Sequence, residues 1–148
     1  MCFFKKSKKK AASASRPYLS PYAVRGVPVI IDPPDPGSEN QLPADFAVLE
    51  REGFDKVVRE KFIPWFKGEQ FADRDDERIF DGLRLDAAAY RYGRIIADYS
   101  PTGEDGNFGQ FEFDFVSGSD YTADMLEATA MQVYIHDGKI VKVSGYEI

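Results

Sequence analysis

Residues 110–115 read Gln-Phe-Glu-Phe-Asp-Phe, a strict alternation of polar and aromatic side chains. A β-strand sends successive side chains to opposite faces, so this run puts Phe111, Phe113 and Phe115 on one side of a sheet and Gln110, Glu112 and Asp114 on the other. A chain containing it must build a sheet with one apolar face to be covered and one polar face. Three Asp-Gly dipeptides, Asp81-Gly82, Asp105-Gly106 and Asp137-Gly138, supply the positive φ values of tight turns. The last lies between Met131 to Ile135 and Ile140 to Ser144, which predicts a closing hairpin. Arg94 to Tyr99 is expected to pair with the aromatic strand across the loop 100–109. Arg78 to Phe80 and Leu83 to Leu85 are expected to form a short leading hairpin.

The apolar face needs a cover, and a helical period upstream supplies one. Phe54, Val57, Val58, Phe62 and Trp65 share one helical face, preceded by Phe46 and Leu49, while Arg51 with Asp55 and Asp55 with Arg59 pair at four-residue spacing on the other. Asp45 is placed to cap this element, Gly53 is expected to break or bend it and Pro64 to end or kink it near Phe62, giving one or two helices over 45–66. A brief helix capped by Asp120 or Thr122 is expected at 122–128. Residues 17–43 hold seven of the nine prolines, which predicts an extended linker with neither helix nor central strand. Within it the Val27 to Ile31 run could lie along a sheet edge, its Pro28 turning the missing donor outward. The fold class is α+β: an N-terminal helical layer packed on a mostly antiparallel β-meander of about four to six strands. The organisation expected is a disordered basic arm at 1–16, a Pro-rich linker at 17–44 and a single α+β domain at 45–148.

Charge divides the chain in the same way. Residues 1–16 carry six bases and no acid, whereas residues 17–148 hold 13 bases against 25 acids, a balance of −12. Such an acidic body would repel phosphates, so nucleic-acid recognition by the folded domain is not expected, and a basic protein partner is. The arm is expected to touch an anionic membrane surface through Cys2, Phe3, Phe4, Lys5, Lys6, Lys8, Lys9 and Lys10: clustered bases gain about 1 kcal/mol each near anionic lipid, and the Phe pair beside an acylated Cys2 would add a second signal. No apolar run long enough for a secretory leader or a membrane span is seen, and Cys2 is the only cysteine, so a cytoplasmic protein is expected, peripheral at the inner membrane face if the arm binds there.

The inventory for catalysis is thin. One histidine, His136, abuts the Asp137-Gly138 turn, which fits an exposed residue better than a base, and without a second His or a body Cys no nucleophile triad can be assembled. Residues 72–77 gather Asp73, Asp75, Asp76 and Glu77, yet Arg74 stands in the middle and no sharp-turn glycine follows, so a solvated loop is expected rather than a metal site. Residues 103–109 have spaced glycines but their own acids would repel a phosphate, and a hairpin loop is the reading. No cofactor and no metal are expected.

The candidate site is the polar side of the sheet, with Glu112 and Asp114 on the aromatic strand, Arg94 and Asp98 on its neighbour, and Tyr134 and His136 on the closing hairpin. This face is either a pocket lining or an ordinary wet face. The close of the chain, Val133-Tyr134-Ile135-His136-Asp137-Gly138-Lys139-Ile140-Val141, resembles the final hairpin of many small α+β rolls, including nuclear transport factor 2-like domains. The helix expected at 122–128 departs from that pattern, so no residue role is carried over. The expected function is a small non-enzymatic binding protein with an acidic body, such as a bacterial toxin-neutralising immunity protein or an adaptor. Two alternatives stand beside it. One is a small-molecule-binding α+β roll enzyme with Asp98, Asp114 or His136 as acid or base in a cavity between sheet and helix, and the other is a peripheral membrane protein tethered by its arm.

Overall fold

The Phe111 to Phe115 alternation sits in the longest paired region of the sheet. The structure, a computed structural model, describes residues 18–148; the arm lies outside the described residues. Six strands occur in chain order across one sheet: β1 (Tyr18–Val24), β2 (Val27–Ile31), β3 (Leu83–Ile95), β4 (Gly106–Ser117), β5 (Ala128–His136) and β6 (Lys139–Glu147). All neighbours are antiparallel except β2 and β3. Parallel neighbours need a crossover. Here the whole helical layer is that crossover: α1 (Pro36–Glu52), α2 (Phe54–Val57), α3 (Ile63–Lys67) and α4 (Asp76–Asp81). This is the expected helical layer on a mostly antiparallel sheet, which proves to be mixed.

The helices cover the Phe face. Phe111, Phe113 and Phe115 are fully buried, and Phe54 meets Phe113 edge-on at 4.8 Å while Phe62 stacks on Phe115 at 5.5 Å. Such aromatic contacts add about 0.5–1.5 kcal/mol each beyond the area they bury. The closing hairpin forms as expected, with Asp137 and Gly138 at φ 51° and 73° and His136 opposite Lys139.

The proline-rich stretch departs from expectation in three ways. It contributes two strands; β2 is interior, between β1 and β3; and α1 begins at Pro36 and contains Pro43. Pro28 is tolerated because the ladder to β3 starts one residue later, at Val29. Pro36 occupies the first helical turn, where amides have no intrahelical acceptor in any case. The cap is Asp35, whose Oδ1 accepts the Ser38 amide at 2.7 Å, not Asp45, which lies buried in the helix interior. The helical region is broken at Gly53, between α1 and α2, as expected, but of the end or kink expected at Pro64 the end does not occur, since α3 runs through it. A π-helical turn over Val58–Phe62, in which the Ile63 amide reaches back to the Val58 carbonyl, precedes the proline, and local widening of this kind is a common way for a helix to absorb irregular hydrogen bonding.

Two other expectations are corrected. Residues 78–80 belong to α4 rather than to a strand, because Asp75 caps the helix by accepting the Arg78 amide at 3.0 Å. The acids of this run have local tasks: Asp76 pairs with Lys67 at 2.6 Å and Glu77 with Arg59 at 2.9 Å. No helix forms at 122–128. Thr122 is buried, and its hydroxyl donates to the Gly82 carbonyl at 3.0 Å, pinning a series of turns against the start of β3, while Ala128 already opens β5.

Among the described residues no helix is long and apolar enough to cross a membrane.

Candidate functional site

Register sets the membership of the polar face. Gln110, Glu112 and Asp114 on β4 stand opposite Tyr134, Gln132 and Ala130 on β5, and Gln132 and Ala130 stand opposite Ser144 and Tyr146 on β6. On the other side Arg91 and Ala89 face Gln110 and Glu112. The helices pack on the reverse face, so these side chains have no helical cover. An open cleft of about 440 Å³ runs across them, lined by Asp32, Arg91, Gln110, Glu112, Gln132 and Tyr146.

Of the six residues expected here, Glu112, Asp114 and Tyr134 come together. Two do not join them. Arg94 lies three positions beyond Arg91, on the opposite face by strand alternation, and pairs with Asp105 at 2.6 Å. Asp98 is not on a strand at all: β3 ends at Ile95 and Asp98 sits exposed in the short 3₁₀ turn Ala97–Tyr99. The sixth, His136, continues the row of Gln132 and Tyr134 but stands four residues from Gln132, about 13 Å along the strand. Its ring packs against Phe108 at 5.0 Å, and its Nδ1 lies 2.8 Å from the Asn107 carbonyl oxygen. Asp98, Asp114 and His136 therefore do not converge between sheet and helix, where aromatic rings fill the space. Cys2, Phe3, Phe4 and the lysines of the arm lie outside the described residues.

Arg91 and Tyr146 join the face without having been expected. Arg91 follows an alanine-rich segment with no turn signal to set its register, and Tyr146 lies past the end expected for the last strand. Arg91 donates through Nε to the Gln110 amide oxygen at 3.2 Å, and the Tyr146 hydroxyl donates to Glu112 Oε1 at 2.9 Å.

The electrostatics of the face centre on Asp114. Its Oδ1 is buried and has no hydrogen-bond partner among the described residues. Burial, followed by the nearby charges of Glu112 and Asp86, pushes its carboxyl above the ordinary 3.8. Burial and the bond to Glu112 push the Tyr146 phenol up to about 12, and burial raises Tyr134 as well. The face thus offers acceptors to a cation and holds its phenols protonated as donors.

A raised carboxyl makes a signed prediction. Below 3.8 Asp114 is protonated in both folded and unfolded chains and contributes nothing; as pH rises, the unfolded chain ionises first, so stability falls until the folded carboxyl also ionises. Asp114→Asn should remove that loss and unfold at higher urea concentration than the natural chain at about pH 7, while the two converge near about pH 3.5. Urea titrations across this range measure it. Asp45, also raised by burial, stays in the variant and leaves it a residual slope. A natural chain that gains stability relative to the variant on going to neutral pH would refute the assignment.

No protein-family model matches the chain, and neither curated proteins nor solved structures match it.

Proposed function

We propose that this chain is a small non-enzymatic binding protein that holds a basic protein partner on the uncovered polar face of its sheet, in the manner of a toxin-neutralising immunity protein or an adaptor. The observation that carries this reading is the enclosed Oδ1 of Asp114 beside Glu112, which no donor among the described residues satisfies. A buried acceptor without a donor costs about 1–3 kcal/mol, and a lysine or arginine from a partner would satisfy it while neutralising two neighbouring acids. The −12 balance of residues 17–148 supports the same reading, since it speeds encounter with a positively charged surface. The reading places the protein in the cytoplasm, where its single cysteine stays reduced.

Affinity capture from the native host with the full chain and with Glu112→Gln/Asp114→Asn tests the proposal. The natural chain should retain a partner with a basic contact surface. Most of it should be released between about 0.1 M and 1 M salt, as the Debye length falls from about 10 Å to about 3 Å. The double variant should retain at least about tenfold less, since removing one side of a desolvated charge pair costs 2–5 kcal/mol or more. Equal retention by the variant, or a partner lacking a basic contact surface, would overturn the proposal.

A further inference from the structure

The basic arm joins the protein at the rim of the open cleft. The described chain begins at Tyr18, which pairs with Ile31, and Asp32, the residue after Ile31, lines that cleft. Because β1 runs antiparallel to β2, the arm is attached at the end of β1 nearest Asp32. Tyr18, Ile31, Tyr90 and Phe111 stand in one row across β1 to β4. Strands lie about 4.8 Å apart, so Glu112, one residue past Phe111, is about 14 Å from the root of the arm. Lys8, Lys9 and Lys10 precede Tyr18 by eight to ten residues, and an extended segment of that length spans about 26–33 Å. The lysines therefore reach the middle of the face with slack for a turn.

The charges they meet there are unbalanced. Asp86, Glu112 and Asp114 enter no ion pair among the described residues. The bases of the same face stand in other rows, Arg91 and Lys142 with Gln110 and Arg84 with Val116, and Arg91 is engaged by the Gln110 amide oxygen. The charges acting on the Asp114 carboxyl are those of its two acidic neighbours, with no base among them. Its enclosed Oδ1 lacks a donor among the described residues, and buried acceptors are as a rule satisfied. Residues 1–16 hold six bases and no acid, the complement of this part of the face.

We propose that residues 1–16 fold back over the open face of their own sheet, with Lys8, Lys9 and Lys10 set against Asp86, Glu112 and Asp114. The arm is then a built-in occupant of the face. A tethered segment meets its site at an effective concentration on the order of millimolar, so a weakly basic stranger is kept off while a better-matched partner displaces the arm. Ion pairs at an open face are weak and screened by salt. They hold the arm without cancelling the rise that burial gives the Asp114 carboxyl. The acids are those proposed above to hold a basic partner, but the contact needs only this chain, so the two proposals fail separately.

A nitroxide carried on the full chain, with no partner present, tests the proposal. Cys2 is the only cysteine, so in Cys2→Ser/Ser7→Cys the single thiol stands beside Lys8. The label should broaden the amide resonances of Glu112, Asp114 and Gln132 well beyond those of α1, which lies behind the sheet. That excess should fall at least about fivefold between 0.1 M and 1 M salt. It should fall as far when Lys8→Gln/Lys9→Gln/Lys10→Gln is added, and again with Glu112→Gln/Asp114→Asn; if the latter does not fold, the lysine variant decides. Labelled chain mixed with isotope-enriched chain that carries no nitroxide reads contacts between copies, and no excess is expected there. Equal broadening in the mixed sample would give the face to the arm of a second copy and overturn the proposal. Broadening spread evenly over both faces, or an excess that survives 1 M salt or the lysine variant, would overturn it too.

Discussion

Phe113→Ala is expected to destabilise the protein by about 3–5 kcal/mol, read as a shift of the denaturant midpoint at unchanged slope. The ring is fully buried, with Phe54 at 4.8 Å on one side and Phe111 stacked at 5.7 Å on another. The cavity left behind is walled by β4 and its neighbours on one side and by the helical layer on the other, so it cannot close without moving a whole layer. A loss of this size is a large share of the 5–15 kcal/mol typical of a domain. Glu112→Ala, one residue away on the open face, should change stability by about 0.5 kcal/mol or less, apart from its bond to Tyr146. Similar small losses at both positions would contradict the one-sided burial of the strand.

The second large effect is expected from Gly109→Ala. A methyl group here meets the Asp45 carboxyl and comes within 2.9 Å of the Tyr90 hydroxyl oxygen, so either the buried hydrogen bond between them breaks or α1 is pushed off the sheet. Overpacking alone costs about 1–3 kcal/mol, and a carboxylate left with one donor fewer adds a comparable amount. Denaturation of Gly109→Ala, Asp45→Ala and the double variant checks the mechanism. Once Asp45 is truncated the added methyl has space, so the double variant should be more stable than the sum of the single losses implies. Additive losses would mean that the two residues do not compete for one volume.

The candidate faces differ in how much of them was legible in advance. Alternation through Phe111, Phe113 and Phe115 assigned Glu112 and Asp114 to the opposite side, and the Asp137-Gly138 turn brought Tyr134 alongside, because both signals act between residues a few positions apart. Arg94 was assigned to the wrong side. A β-strand exchanges faces with every residue, and the register shift between Leu85 and Ala87 in β3 cannot be seen in a run of Asp and Ala. Asp98 was misplaced because the end of β3 is set by how far β4 extends to pair with it.

The amino-acid order by itself determined that this chain makes a sheet with one aromatic face, a closing hairpin and an amphipathic helical cover, since period and turn chemistry are local properties of the backbone. It did not determine the fate of the proline-rich segment. Proline removes a donor at one residue only, and whether that matters depends on which neighbour would have accepted it; Pro28 is tolerated because the ladder of β2 to β3 starts past it, and Pro36 because it stands in the first turn of α1, whereas Pro43 is carried inside the helix. Nor did it determine the role of Asp45, which reads as a helix cap and is instead a buried acid. Residues 45, 90 and 109 are remote in sequence, and only the packing of α1 across β3 and β4 brings carboxyl, phenol and glycine together, where removal from water rather than any local motif sets the chemistry.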